Sequence, residues 1–278
     1  MINALSFDLE DWYHPELVRK KVGEGPVSQL GEATQPILEL LDSFNIKASF
    51  FVVGEVAERN AGLIQSIWQK GHEIGCHGFS HKPLWELNEG LFREELERFH
   101  TLMEKILGKV EIKGFRAPTF SLDDRTKWAL KVLRDWHYRY DASLFPAKLN
   151  RLYGMEGVPD HPYRISLEDV RQEDVESPLI EFPMSLMNLG RLKIPITGGF
   201  YLRVIPVRFQ CWGLKRINRN RPFLLYFHPW EGYEKTPRLK LPLYNRLISY
   251  YGIRPALGKL AFLLKRFRFA RVDQVLGL

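Results

Sequence analysis

Short apolar runs alternate with helix-length amphipathic segments through the first half of this chain, and no other sequence feature constrains its fold as tightly. Asn3–Asp8, Lys47–Val53 and His72–Cys76 have strand character, and Gly114–Arg116 and Tyr138–Asp141 read as strand ends. Between them, Ala33–Phe44, Ala57–Gln69 and Asp123–Trp136 have helical spacing, with Gly71 placed to end the second. Phe92, Leu96, Phe99, Met103 and Ile106 step by 4, 3, 4 and 3, one face of an amphipathic helix. Strands alternating with helices of this length imply parallel βαβ units. No glycine-rich phosphate loop follows the first strand, which disfavours a nucleotide-binding doubly wound sheet. A barrel-like (β/α) arrangement is expected instead.

After Phe145 the periodicity fades and Pro and Gly rise, so 145–205 reads as an elaboration containing a strand near Leu179–Phe182. Phe223–Phe227 is a last uncharged strand, and 236–278 a helical and strand extension. The expectation is one domain spanning 1–278, since 278 residues can bury a sizeable core. Two cysteines, Cys76 and Cys211, exclude a disulfide-stapled scaffold or a four-cysteine zinc module. The N-terminus has no basic leader and no run reaches membrane-spanning length, so a soluble, cytoplasmic protein is expected.

Charge is polarised along the chain: residues 1–100 carry a net −7 and residues 201–278 a net +13. The basic end suits an anionic glycan carrier or a membrane surface. Ile253–Arg266 offers an amphipathic stretch for peripheral association there, although packing on the barrel explains it equally. KRFRFARV interleaves basic and aromatic residues, but its period-2 pattern fits a closing strand, so no nucleic-acid partner is expected.

In such folds functional groups collect where strands end. Those groups here are Asp8, Glu10 and Asp11; His77 and His81; Arg116; Asp141; and His228. HGFSH sets two imidazoles four residues apart, where a helical turn would bring them to one side, as a single metal requires. A carboxylate from the first strand would complete a three-ligand hydrolytic zinc pattern. The period of a strand puts Glu10 on the face of Asp8, whereas a strand ending at Leu9 would let Asp11 swing in.

In order, SFDLED, HGFSH, FRAPTFS, YDAS and LLYFHPWE resemble the five motifs of the NodB-homology polysaccharide deacetylases, carbohydrate esterase family 4. The match runs from Ser6 to about Gly232, and the GGFYLR segment and FHPWE ending look most like a cytoplasmic, exosortase-associated branch of exopolysaccharide clusters. The resemblance implies a distorted (β/α) barrel of about seven parallel strands that hydrolyses N-acetyl groups of GlcNAc-type sugars. It makes Asp8 the general base, held by Arg116, and His228 the general acid, tuned by Asp141. It makes His77 and His81 the metal ligands, joined by Glu10 or Asp11, with Zn²⁺ as the implied ion. Thr119 stands where the motif has an aromatic, leaving its backbone N–H for an oxyanion hole, and Trp230 is a candidate sugar contact with Trp12, Tyr13 and Trp85. An allantoinase-like hydrolase of a small cyclic amide is the rival enzyme reading, and a non-catalytic glycan-binding protein the rival outside enzymes.

Overall fold

The computed structural model describes residues 1–148, 154–190 and 192–278. The strands are β1 Ile2–Leu9, β2 Ser49–Val52, β3 Glu73–Cys76, β4 Gly114–Phe115, β5 Tyr140–Asp141, β6 Tyr163–Arg164, β7 Ile180–Glu181, β8 Leu186–Leu189, β9 Leu192–Pro195, β10 Leu224–Phe227 and β11 Arg268–Ala270. One sheet runs in the order β10-β1-β2-β3-β4-β5-β7-β6, and β11 joins it by pairing with Ile2–Ala4 of β1. Every pairing in that sheet is parallel except β6 with β7. Its end strands, β6 and β10, do not pair with each other, so the curled sheet is an open, distorted barrel. Seven strands from β10 to β7 are parallel, as the alternation of apolar runs and helices demanded.

The core follows from the sequence pattern. Asn3–Leu9 is buried without a break, as expected of a parallel strand covered on both faces. The helix Glu89–Leu107 buries Phe92, Leu96, Phe99, Met103 and Ile106, the predicted stripe. Asn88 caps it by accepting the Leu91 N–H at 3.0 Å, and Gly108 ends it at φ 77°. The expected helix Ala57–Gln69 is instead two, Gly54–Arg59 and Ala61–Gln69, interrupted at Asn60. Asp123–Trp136 is helical only from Trp128, because Asp123 accepts the Arg125 N–H and holds a turn first.

The elaborated segment 145–205 contributes β6, β7 and a β8–β9 hairpin outside the main sheet. Residues 149–153 and 191 of it lie outside the described residues. KRFRFARV does contain a closing strand, β11. The stretch Ile253–Leu264 is a helix that buries Ile253, Ala256, Leu260, Leu263 and Leu264 against the body, so packing consumes its apolar face. Among the described residues no helix is long and apolar enough to cross a membrane.

Candidate active site and metal centre

The predicted strand-end groups stand at or just beyond the C-terminal ends of parallel strands. Asp8 is the penultimate residue of β1, and Glu10 directly follows the strand. His77, Arg116 and His228 directly follow β3, β4 and β10. Asp8, Glu10, His77, His81, Thr119, His228 and Trp230 line one cavity of about 290 Å³.

Three of these residues converge. Ligand atoms of Glu10, His77 and His81 lie within 4.8 Å of one another, and all three residues are buried. The Nδ1 of His77 is 2.7 Å from the Arg116 carbonyl, which fixes a donor there and turns Nε2 towards the cluster. Glu10 Oε2 sits 2.5 Å from His81 Nε2, and that nitrogen has no hydrogen-bond partner among the described residues. A buried carboxylate beside an unpartnered imidazole nitrogen is a donor set that can share a cation. Burial works against the charge of Glu10, but the imidazoles of His81 and His228 outweigh it and hold its carboxyl well below the usual range. Burial pushes His77 down to about 4, keeping it neutral, the form that binds metal. The three residues present therefore fit a divalent ion.

The first strand does end at Leu9, yet Asp11 does not swing in. Its Oδ1 accepts the N–H groups of Trp12 (3.0 Å) and Gln29 (3.2 Å), and its own N–H donates to His14 Nδ1 at 2.8 Å. Asp11 thus ties the loop to residue 29, and Glu10 alone of the two enters the cluster. Nor does HGFSH form a helical turn. Residues 77–83 are irregular, with Gly78 at φ 73° and His81 at φ 55°. The loop is shaped by buried Glu95 of the helix Glu89–Leu107, which accepts the Phe79 and Ser80 N–H groups, both at 2.8 Å, and the Ser80 hydroxyl at 2.7 Å.

Beside the cluster, Asp8 bridges a cation and an imidazole. Arg116 is fully buried and donates from Nη1 to Asp8 Oδ1 at 2.5 Å and to Ser6 at 3.0 Å, while its Nε donates to the Ala142 carbonyl. Its guanidinium carbon lies 4.2 Å from the centre of the Phe51 ring. On the other side, Asp8 Oδ2 is 3.7 Å from His228 Nε2.

Asp141 is not the partner of His228. It accepts from the Ser143 hydroxyl at 2.5 Å, and that oxygen accepts the Ala117 N–H at 2.7 Å, so Asp141 supports the loop carrying Thr119. Burial raises Asp141 and, more strongly, its neighbour Glu181, so the two buried carboxyls hold a proton between them. The residue that engages His228 is Glu231, whose Oε2 lies 2.7 Å from His228 Nδ1 and accepts the His228 backbone N–H at 3.2 Å. Glu231 Oε1 in turn accepts Arg203 Nε at 2.9 Å, and Arg203 donates onward to the carbonyls of Ile248 and Tyr251. Burial works against the charge on His228, but Glu10, Glu231 and Asp8 outweigh it and raise the imidazole to about 9. Sequence reasoning missed Glu231, Arg203 and Glu95. Arg203 left a signal as the single charge in the thirteen residues IPITGGFYLRVIP, and Glu95 as an acid set within an apolar stripe.

Thr119 lines the cavity in a left-handed conformation, φ 59°. Trp230 lines it too, but its indole donates to Glu10 Oε1 at 3.1 Å and stacks on His228, so it also positions the site. Trp12 is buried and packs with Trp230, and none of Trp12, Tyr13 and Trp85 reaches the cavity. Cys76 is buried and its thiol is pushed up to about 12, a structural residue rather than a ligand.

Residues 22–140 match the family model described as polysaccharide deacetylase. The match to the polysaccharide deacetylase model thus covers fewer than half of the chain's residues. Residues 142–277 match a model described as a domain of unknown function, DUF3473. Asp8 and Glu10 precede the first match, His77, His81 and Arg116 fall within it, and His228 and Glu231 fall in the second, so the cluster draws on both matched regions and the residues before them. A peptidoglycan-N-acetylglucosamine deacetylase of Bacillus cereus is 34% identical over 99 residues, covering 35% of this chain and 36% of that protein. The match therefore spans about a third of that relative's length. A Mycobacterium smegmatis structure assigned as a polysaccharide deacetylase superposes with TM-score 0.60 at 21% identity, covering 98% of this chain and 87% of the other. The allantoinase PuuE superposes equally well, TM-score 0.60 at 16% identity over 98% and 87% of the two chains. These two likenesses establish the open-barrel fold.

Proposed function

We propose that the chain is a metal-dependent deacetylase that hydrolyses the N-acetyl group of a GlcNAc-type sugar in an exopolysaccharide or its precursor. The observation carrying this reading is the placement of the Glu10–His77–His81 cluster beside Asp8 and His228 in one cavity. Amide hydrolysis needs an activated water, a stabilised oxyanion and a proton for the leaving amine, and each has a group here. A divalent ion held by Glu10, His77 and His81, by this reading Zn²⁺, would polarise the acetyl carbonyl and acidify water. Asp8, fixed by Arg116, takes the proton of the attacking water through Oδ2. His228 gives a proton from Nε2 to the departing nitrogen, while Glu231 holds Nδ1 and compensates the imidazolium charge. The backbone N–H of Thr119 is the candidate oxyanion donor. Acetate and a free amino sugar result.

The similar B. cereus protein is a peptidoglycan-N-acetylglucosamine deacetylase by name, which favours a sugar amide over the cyclic amide of an allantoinase. The same reading places the enzyme in the cytoplasm, peripheral at the inner membrane where a precursor is lipid-linked.

Acetate release from a panel of N-acetylated saccharides and a small ureide, with chelation and metal add-back, tests the proposal. Release from a GlcNAc oligomer, lost on chelation and restored by Zn²⁺, is expected. Turnover of the ureide alone would move the chain to the rival class. His228→Ala should keep its metal and lose about 10²-fold or more in kcat, and unchanged activity would remove His228 from the scheme.

A further inference from the structure

The rim of the cavity carries a surface that the chemistry does not use. The helix Leu243–Tyr250 buries only Ser249 and Tyr250. Along its outer side and just beyond, Leu243, Tyr244, Leu247 and Tyr251 are exposed by 64, 72, 49 and 57%. Their spacing of 1, 3 and 4 forms a single apolar stripe. Arg246, Arg238, Lys240 and Arg254 are exposed around it. Arg238, Arg246 and Arg254 border a shallow cavity of about 350 Å³ together with Leu247 and Tyr251. Among the described residues, Arg254 alone of these cations is paired with an acid, Glu234 at 3.7 Å. From Lys235 to Val272 the sequence has ten Lys and Arg residues and no Asp or Glu. Tyr244, at the edge of this stripe, also borders the catalytic cavity, with Ile248 and Ser249 of the same helix. Arg203, which holds Glu231, donates to the carbonyl of Ile248.

We propose that this face docks on a bilayer containing anionic lipid and sets the mouth of the catalytic cavity at the headgroup level. An aliphatic and aromatic stripe flanked by arginine and lysine is the composition of a helix lying in a membrane interface. Each basic residue near an anionic surface adds to the attraction. Tyr244 and Tyr251 are amphipathic, suited to the boundary between headgroup and acyl chain. The aliphatic Leu243 and Leu247 of the stripe have no counterpart in a polyanion such as nucleic acid, which leaves the lipid surface as the matching partner. The corollary, that the sugar acted on is carried on lipid, rests on the deacetylase reading, whereas the docking does not.

Co-sedimentation of the full chain with vesicles of phosphatidylcholine, with and without phosphatidylglycerol, tests this at low and high salt. Binding to the anionic vesicles alone, weakened by salt, is expected. The variant L243D/L247D should bind them roughly tenfold less or weaker. Neither leucine lines the catalytic cavity, so acetate release from a soluble N-acetylated oligomer should be unchanged. Absence of binding at low salt, equal binding by the variant, or sedimentation without vesicles would each overturn the proposal. Vesicle binding without acetate release would leave the docking standing and sink the catalytic reading, and the converse result would do the reverse.

Discussion

At the scale of single residues, the site turns on which carboxylate faces which cation. Glu231 meets His228 Nδ1 at 2.7 Å and is itself held by Arg203, so Glu231→Gln removes a charge but leaves the packing. The variant should keep its metal and lose about tenfold to hundredfold in kcat, with KM little changed. Wild-type turnover would assign proton delivery elsewhere. Glu10 and Asp11 separate in the same manner. Glu10→Gln should lose bound metal, as measured by metal content after dialysis, whereas Asp11→Asn should retain it. The sequence made Asp8, His77, Arg116 and His228 legible because each stands at the end of an apolar run, and His81 by its spacing from His77, both purely local cues. Which of several candidate carboxylates pairs is not a local cue. That His228 engages a carboxylate three residues on, rather than Asp141 from another strand, depends on how β10 and β5 sit in the sheet. The Asp11 side chain likewise finds its partner at residue 29, a contact no spacing rule reveals.

At the scale of elements, loops after strands hold the chemistry, and neighbouring helices set their shape. His77 and His81 come together without a helical turn, because Glu95 collects the donors of Phe79 and Ser80 between them. The stripe of the helix Glu89–Leu107 was readable by its period, while the task of the acid inside it was not, since its partners lie 15 and 16 residues away. Glu95→Gln should lower metal affinity about tenfold to hundredfold by loosening His81. It should also cost about 1–3 kcal/mol in unfolding free energy, because a buried N–H then faces an amide instead of a carboxylate. Stability loss with metal affinity intact would confine Glu95 to the fold. The helix Gly199–Val204 shows the same logic from the other side. Gly198 sits at φ 109° against the Tyr226 ring, and a Cβ on Gly199 would collide with the Glu231 carboxylate. The paired glycines let Arg203 approach the acid.

At the scale of the whole molecule, the polarised charge of the sequence acquires two locations. Acids of the N-terminal third enter the site, and the C-terminal third brings its cations to the rim and closes the opposite end of the barrel. There β11 pairs with the start of β1, and the helix Val272–Leu276 packs beneath. Glu73, at the N-terminal end of β3, is the buried hub of that closure. It accepts from Tyr140 at 3.0 Å and from Ser49, and the Asp273 N–H donates to it at 3.4 Å. Burial, reinforced by the nearby Asp273 carboxylate, raises Glu73 from 4.5 to about 7. The folded chain therefore keeps this proton up to about pH 7, whereas the unfolded chain releases it near 4.5. Below the lower value its contribution is fully present. Between the two, folding binds more protons than unfolding, and stability falls as pH rises, by up to about 3 kcal/mol for this group. Glu73→Gln cannot titrate, so its melting temperature relative to the wild type should climb steadily from pH 5 to pH 8. A difference independent of pH across that window would mean that Glu73 is ionised in the folded protein, and that the cations Lys113 and Arg271, drawn in by Asp273, neutralise the closure.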